Sequence, residues 1–148
     1  MTIRTATIAD FQHLYLIGTH TSELRVSSVE PFMDPDEFRW AITNPDGVFL
    51  VAEVDQNIVG FIYANTNDIE KTFQNKYACI VYLVVIPPFR RRGVAQRLYL
   101  ETEKKLHTKG VSHLYCWAHD SGTGEIVRFM EKQGFIQGHS YRWMDKKI

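Results

Sequence analysis

Apolar and polar positions change period several times along this chain, and each change marks an element. Thr2 to Thr7 alternates as a short strand does. Thr7-Ile8-Ala9-Asp10 then sets a hydroxyl three residues ahead of an acid. That capping-box pattern predicts a helix with Phe11, Leu14 and Ile17 inward and Gly18 closing it. Thr19 to Met33 has no clear period and reads as loop, with room for one helical turn. Asp34-Pro35-Asp36-Glu37 supplies an N-cap, a proline at the first helical position and acids facing the helix dipole. The helix it opens carries Phe38, Ala41 and Ile42 and ends near Asn44 to Gly47.

Val48 to Val54 and Ile58 to Ala64 read as strands joined in a hairpin at Asp55-Gln56-Asn57. After polar Asn65 to Lys76, the run Tyr77 to Ile86 is apolar on both faces, as in a strand at the centre of a sheet. Pro87-Pro88 stops it. A helix from Val94 to near Lys109 turns Val94, Ala95, Leu98 and Leu106 inward, and Gly110 caps it. A strand over Ser112 to His119, a helix over Gly124 to Gln133 and a closing strand pair at Phe135-Ile136 and Tyr141 to Met144 complete the chain. The order predicts a mixed sheet with helices on its faces, an α/β fold of the α+β kind.

Composition narrows this picture. At 148 residues, 45% of them hydrophobic, the chain suits one domain over 1–148 with one core. Its 17 basic and 17 acidic residues cancel, so no global field draws it to nucleic acid or to an anionic membrane. Any phosphate binding has to be local. Cys79 and Cys116 lie in apolar runs and read as core thiols of a reducing compartment. The N-terminus lacks a basic segment followed by an apolar stretch, and Ala78 to Ile86 is too short to span a bilayer. Both point to the cytoplasm. Trp40, Trp117 and Trp143 read as packing residues, and the six scattered histidines give no metal-ligand spacing.

The informative stretch is Leu83-Val84-Val85-Ile86-Pro87-Pro88-Phe89-Arg90-Arg91-Arg92-Gly93-Val94-Ala95-Gln96. A buried strand ends, a basic turn with one glycine follows, and a helix opens at once. The first turn of a helix has amides without partners, and its dipole favours anions. Gly93 lets successive amides turn inward, Ala95 lets a ligand approach the backbone, and the arginines can pair with phosphate oxygens. The result reads as a pyrophosphate cradle. A solvated basic turn would account for the arginines equally, whereas nucleic-acid binding fits poorly with an isolated cluster in a neutral chain. There is no Gly-Lys-Ser/Thr phosphate loop, Gly-x-Ser-x-Gly, His-Glu-x-x-His or paired Cys-x-x-Cys.

Arg90-Arg91-Arg92-Gly93-Val94-Ala95 resembles the acetyl-CoA signature of the GNAT superfamily of N-acetyltransferases, Arg/Gln-x-x-Gly-x-Gly/Ala. The preceding Leu83 to Pro87 is similar to that family's fourth strand, Val51 to Phe61 to its second and third strands, and Phe129 to Phe135 to the end of its fourth helix. The resemblance implies a mostly antiparallel twisted sheet of six to seven strands with about four helices, its fourth and fifth strands splayed to admit pantetheine. It implies an acetyl-CoA-dependent N-acetyltransferase acting on a primary amine of a small molecule, amino acid or peptide, and it allows a homodimer. Leu83, Val84 and Val85 would offer backbone groups to pantetheine and the thioester carbonyl. Arg90, Arg91, Arg92, Gly93, Val94, Ala95 and Gln96 would hold the pyrophosphate. A neutral amine would attack directly, with an amide near Val85 meeting the oxyanion.

Two positions depart from the family pattern. The tyrosine that often protonates the leaving thiolate is replaced by Met130, which has no proton to give, and an asparagine near the start of that helix by Thr123, whose hydroxyl could cap the helix or touch the cofactor. Met130 motivates a second reading, an acyl-CoA-binding regulatory or interaction module with little or no turnover. The run Tyr77 to Ile86 also lacks the carboxylate that often serves as base. His119, at the end of the fifth strand, and Tyr82, on the cleft strand, are the candidate proton-transfer groups. Either could equally be a surface or packing residue, and Glu53 is a weaker candidate on an earlier strand. The resemblance shapes the acceptor side from roughly Glu23 to Phe38 with Tyr141 and Trp143. Within it, Glu23, Glu30 and Asp34 could draw a cationic amine, and Phe32 and Met33 could wall it.

Overall fold

In the computed structural model the elements run β1 (Thr2–Thr5), α1 (Phe11–His20), α2 (Pro35–Thr43), β2 (Val48–Val54), β3 (Asn57–Asn65), β4 (Tyr77–Val85), α3 (Val94–Thr108), β5 (His113–Cys116) and α4 (Glu125–Lys132). Short 3-10 turns lie at Ile8–Asp10, Ser22–Leu24 and Pro87–Phe89. The structure describes all residues except 26, 28–31, 67–75, 120–123, 141, 143, 145 and 147.

The strands form one sheet in the order β1-β2-β3-β4-β5. Neighbours are antiparallel except β4 and β5, which run parallel with α3 as the crossover. Strand alternation sends Leu50, Ala52, Ile62 and Ala64 to a core shared with α3 and α4. It sends Phe49, Val51, Phe61 and Tyr63 to a second core under α1 and α2. The expected mixed α/β architecture with helices on both faces is therefore present.

Among the described residues five strands stand where six to seven were expected, and none of those beyond α4 is in a strand. The Phe135 amide donates to the Met130 carbonyl (3.1 Å), closing α4, so it is spent on a helix end. The Phe135 ring then packs edge-on against Tyr99 at 6.2 Å. Ile136 is 95% exposed, so the apolar alternation that follows buries nothing there. Tyr141 and Trp143 lie outside the described residues. β5 is also shorter than Ser112 to His119, since its ladder with β4 stops at Cys116.

Gly18 does not close α1, which continues to His20. It is buried inside the helix, and a Cβ there would lie 2.3 Å from Phe32 Cζ. Trp40 and Trp117, expected as packing residues, are 49% and 73% exposed and so lie outside the buried core. Cys79 is buried and Cys116 half-buried, neither in a disulfide, and burial pushes the Cys116 thiol up.

Candidate active site

The ladder between β4 and β5 covers four pairs, from Tyr77 with His113 to Ile80 with Cys116, and then ends. On its other edge β4 stays paired with β3 as far as Val85. A bulge at Val81 separates the pair Ala64 and Ile80 from the pair Tyr63 and Tyr82. It therefore bends β4 where β5 leaves it. Among the described residues, the second half of β4 has a strand on one side only. This is the splay that the family resemblance implied.

Backbone alternation decides which residues face the gap. The Ile86 amide donates to the Val59 carbonyl (3.0 Å), so β4 residues two apart from Ile86 turn their backbone toward β3. Val84 is one of these, and its side chain is 3% exposed in the α1/α2 core. Leu83 and Val85 turn their amides and carbonyls the other way, into the gap. Of the three residues expected to meet pantetheine, Val84 is thus the one whose backbone is committed to the sheet. Gly60 permits this close pairing, because a Cβ there would lie 2.6 Å from the Val84 carbonyl oxygen.

The turn beyond β4 has unusual backbone geometry. Arg91 (φ 63°) and Gly93 (φ 79°) are both left-handed, with Arg92 between them. Such alternation curls successive amides into an anion-binding concavity. Gly93 is also the N-cap of α3 and has no side chain to occupy the first amides of the helix. The contrast with α2 is direct, since its N-cap Asp34 accepts from the amides of Asp36 (2.8 Å) and Glu37 (3.3 Å). None of the amides from Arg91 to Gln96 donates to a carbonyl or side chain of a described residue. The space beside the Gly93 Cα is open, with nothing within 4 Å of a Cβ placed there. Val94, 3% exposed, anchors the turn in the α3 core.

Side chains of the signature behave less uniformly. Arg91 and Arg92 are exposed, and the Arg92 guanidinium lies 5.6 Å from the centre of the Phe89 ring. Gln96 and Gln133 exchange amide hydrogen bonds in both directions, each 2.9 Å, tying α3 to α4. The Gln96 side chain is thereby engaged, and its backbone amide stays open. Arg90 folds back over the end of β4, its Nε donating to the Val85 carbonyl (2.9 Å) and its Nη1 to Glu23 Oε1 (3.0 Å). Thr123 lies outside the described residues, and the N-cap of α4 is Gly124.

Tyr82 is half-buried, its ring 5.3 Å from Phe32 and 6.5 Å from Phe61, on the α1/α2 face of the sheet. His119 is exposed, three residues past the end of β5. Met130 is buried in the α3/α4 core at 4% exposure. The acids named from sequence are occupied: Glu53 pairs with Arg4 (2.6 Å), Asp34 caps α2 and Glu23 holds Arg90. Its own backbone amide and the Ser22 hydroxyl, with Arg90 beside it, hold the Glu23 carboxyl below its usual range. Glu30 lies outside the described residues. Phe32 is 3% exposed and serves as core, while Met33 is half-buried beside it. Sequence reading missed the Arg90–Glu23 and Gln96–Gln133 contacts, because nothing local signals pairing across 67 or 37 residues.

Open helix-start amides beside parted strands are therefore joined in one structure, and comparison with known proteins agrees. The profile of the acetyltransferase (GNAT) family matches residues 13–135. Acetyltransferase YE1169 of Yersinia enterocolitica is 32% identical over 115 residues, covering 77% of this chain and 73% of that protein. A tetramutant of the BH1408 protein from Bacillus halodurans superposes with a TM-score of 0.80 at 19% identity, over the full length of both chains. The aminoglycoside N-acetyltransferase AAC(6')-Iy, solved with CoA, superposes at 0.73 with 16% identity, over 99% of this chain and all of that one. With the motif, the strand order and the profile in accord over most of its length, this chain belongs to the acetyltransferase (GNAT) family.

Proposed function

We propose that this protein transfers the acetyl group of acetyl-CoA to a primary amine of a small molecule, amino acid or peptide. The observation that carries the reading is the run of open amides from Arg91 to Gln96, placed where β4 loses β5 as a neighbour. The residues present fit coenzyme A. The amides and the open side of Gly93 suit a diphosphate, and the exposed Arg91 and Arg92 add charge. The outward amides of Leu83 and Val85 and the Leu83 carbonyl suit the amide-rich pantetheine arm, while the Val85 carbonyl accepts from Arg90 Nε. Thr123, standing where the family often has an asparagine, is proposed as a further cofactor contact through its hydroxyl.

Acetyl-CoA supplies the activated acyl group. The chain's task is to orient the thioester along Leu83 and Val85 and to set the Val85 amide where negative charge develops on the carbonyl oxygen. His119 is proposed to take the proton of the attacking amine, with Tyr82 as second candidate. Met130 carries no donor and is buried, so the leaving thiolate takes its proton from water. We place this activity in the cytoplasm, in keeping with cysteines, Cys79 and Cys116, that are not joined in a disulfide.

The test is thiol release from acetyl-CoA in the presence of polyamine, aminoglycoside, amino-acid and peptide amines, alongside retention on a coenzyme A column. Amine-dependent release that falls in His119→Ala, with retention unchanged, supports the reading. Retention without release from any amine would favour the acyl-CoA-binding module, the reading that Met130 in place of the usual tyrosine motivates. No retention would remove both.

A further inference from the structure

The basic signature places its first arginine among the groups that hold diphosphate, but the Arg90 side chain takes another course. Its Nε donates to the Val85 carbonyl at 2.9 Å, and its Nη1 reaches Glu23 Oε1 at 3.0 Å, across 67 residues of sequence. The open amides of the turn begin only at Arg91. Glu23 sits in the 3-10 turn Ser22–Leu24 that directly follows α1, on the α1/α2 side of the sheet.

We propose that Arg90 is a positioning residue for the acceptor side of the transfer, not a phosphate ligand. This rests on the acetyl-transfer reading above. The Val85–Ile86 peptide is held at both ends, its oxygen by Arg90 Nε and its N–H by the Val59 carbonyl. That fixes the end of β4, whose Val85 amide faces the reacting carbonyl. The other arm of the same planar fork docks the post-α1 turn beside it through Glu23, so cleft strand and acceptor wall are set by one guanidinium. Lysine cannot reproduce this, because an ammonium is a single point with no fork to span a carbonyl and a carboxylate. Glu23 also offsets the charge of Arg90, leaving the diphosphate to the backbone amides and to Arg91 and Arg92.

The test compares Arg90→Lys, Glu23→Gln and Glu23→Asp with the wild type in three measurements. These are coenzyme A affinity by calorimetry, amide hydrogen exchange over residues 21–25, and steady-state thiol release with the best amine of the panel above. Arg90→Lys should keep coenzyme A affinity within about twofold, where losing a charge-assisted phosphate contact would cost about tenfold or more. Arg90→Lys and Glu23→Gln should both speed exchange over 21–25, lower kcat and raise the amine KM with the acetyl-CoA KM unchanged. Glu23→Asp should recover part of each. A tenfold loss of coenzyme A affinity in Arg90→Lys with unchanged exchange over 21–25 would overturn the proposal and leave acetyl transfer standing. Failure of the wild type to bind coenzyme A would instead sink acetyl transfer, and with it any role for Arg90 in it.

Discussion

Gly18 lies in van der Waals register with the ring of Phe32: a Cβ on Gly18 would come within 2.3 Å of Cζ and 2.5 Å of Cε1. The ring has little room to retreat, with Tyr15 at 5.5 Å, Phe38 at 5.4 Å and Tyr82 at 5.3 Å. Gly18→Ala gains about 1 kcal/mol of helix propensity. It sets against that an overpacking cost of about 1–3 kcal/mol. The cluster cannot yield without moving Tyr82 on the cleft strand, so the clash wins. Urea unfolding should show a net loss of up to about 2 kcal/mol. A variant as stable as the wild type would mean that the ring moves freely.

Gly93 separates backbone geometry from ligand room. Nothing stands within 4 Å of a Cβ at Gly93, so the fold itself objects only to its left-handed φ of 79°. Gly93→Val should lose about 1–2 kcal/mol of stability from that conformation. Its coenzyme A affinity should fall by about tenfold or more, as the branched side chain fills the side that a diphosphate would use. Gly93→Asn, which tolerates the left-handed region, should recover stability before it recovers affinity. Calorimetric binding beside thermal unfolding reads both, and full affinity in Gly93→Val would refute the cradle.

Much of this was legible in the sequence, and what was not has a physical pattern. Short-range signals held: Asp34 caps α2, Pro87 ends β4, and Gly93 opens α3. Each acts within a few residues, where chain chemistry decides. The bulge at Val81 and the end of the β5 ladder depend on pairing between distant strands, which no window of sequence contains. The strand expected at Phe135-Ile136 misled for a related reason. Alternation at Phe135 and Ile136 gives a strand only with a ladder partner, and the Phe135 amide had already gone to Met130. Gly18 was a punctuation mark in sequence and a packing seat in space. Glu53 and Glu23 failed as site acids likewise, since Arg4 and Arg90 reach them only on folding, whereas Asp34 is taken by the amides of its own helix start.

Asp10 gives the fold a pH dependence of known sign. The Arg4 guanidinium, with the amide and hydroxyl of Thr7, pulls its carboxyl down to about 2 from an ordinary value of 3.8. Because the folded value lies below the unfolded one, the stabilisation is complete above about pH 4 and is lost as pH falls toward 2. Asp10→Asn should cost about 1–2 kcal/mol at pH 7. The gap between variant and wild type should close on acidification across that window. Chemical denaturation at a series of pH values checks it, and a gap that stays constant down to pH 2 would exclude Asp10 as its source.

Met130 tests whether the missing acid can be restored by side chain alone. Met130→Tyr would recreate the residue type common in the family, but the position is 4% exposed in the α3/α4 core. A phenol there must bury a hydroxyl and exceed the volume of an unbranched thioether, which costs about 1–3 kcal/mol. The α4 end adds to the difficulty, because the Met130 carbonyl already accepts from Gln133 (2.9 Å) and Phe135 (3.1 Å) and holds the backbone in place. The expected result is a lower unfolding midpoint with no gain in kcat. A rise in kcat with unchanged stability would show that side chain reaching the cleft, and would move the leaving-group proton from water to the protein.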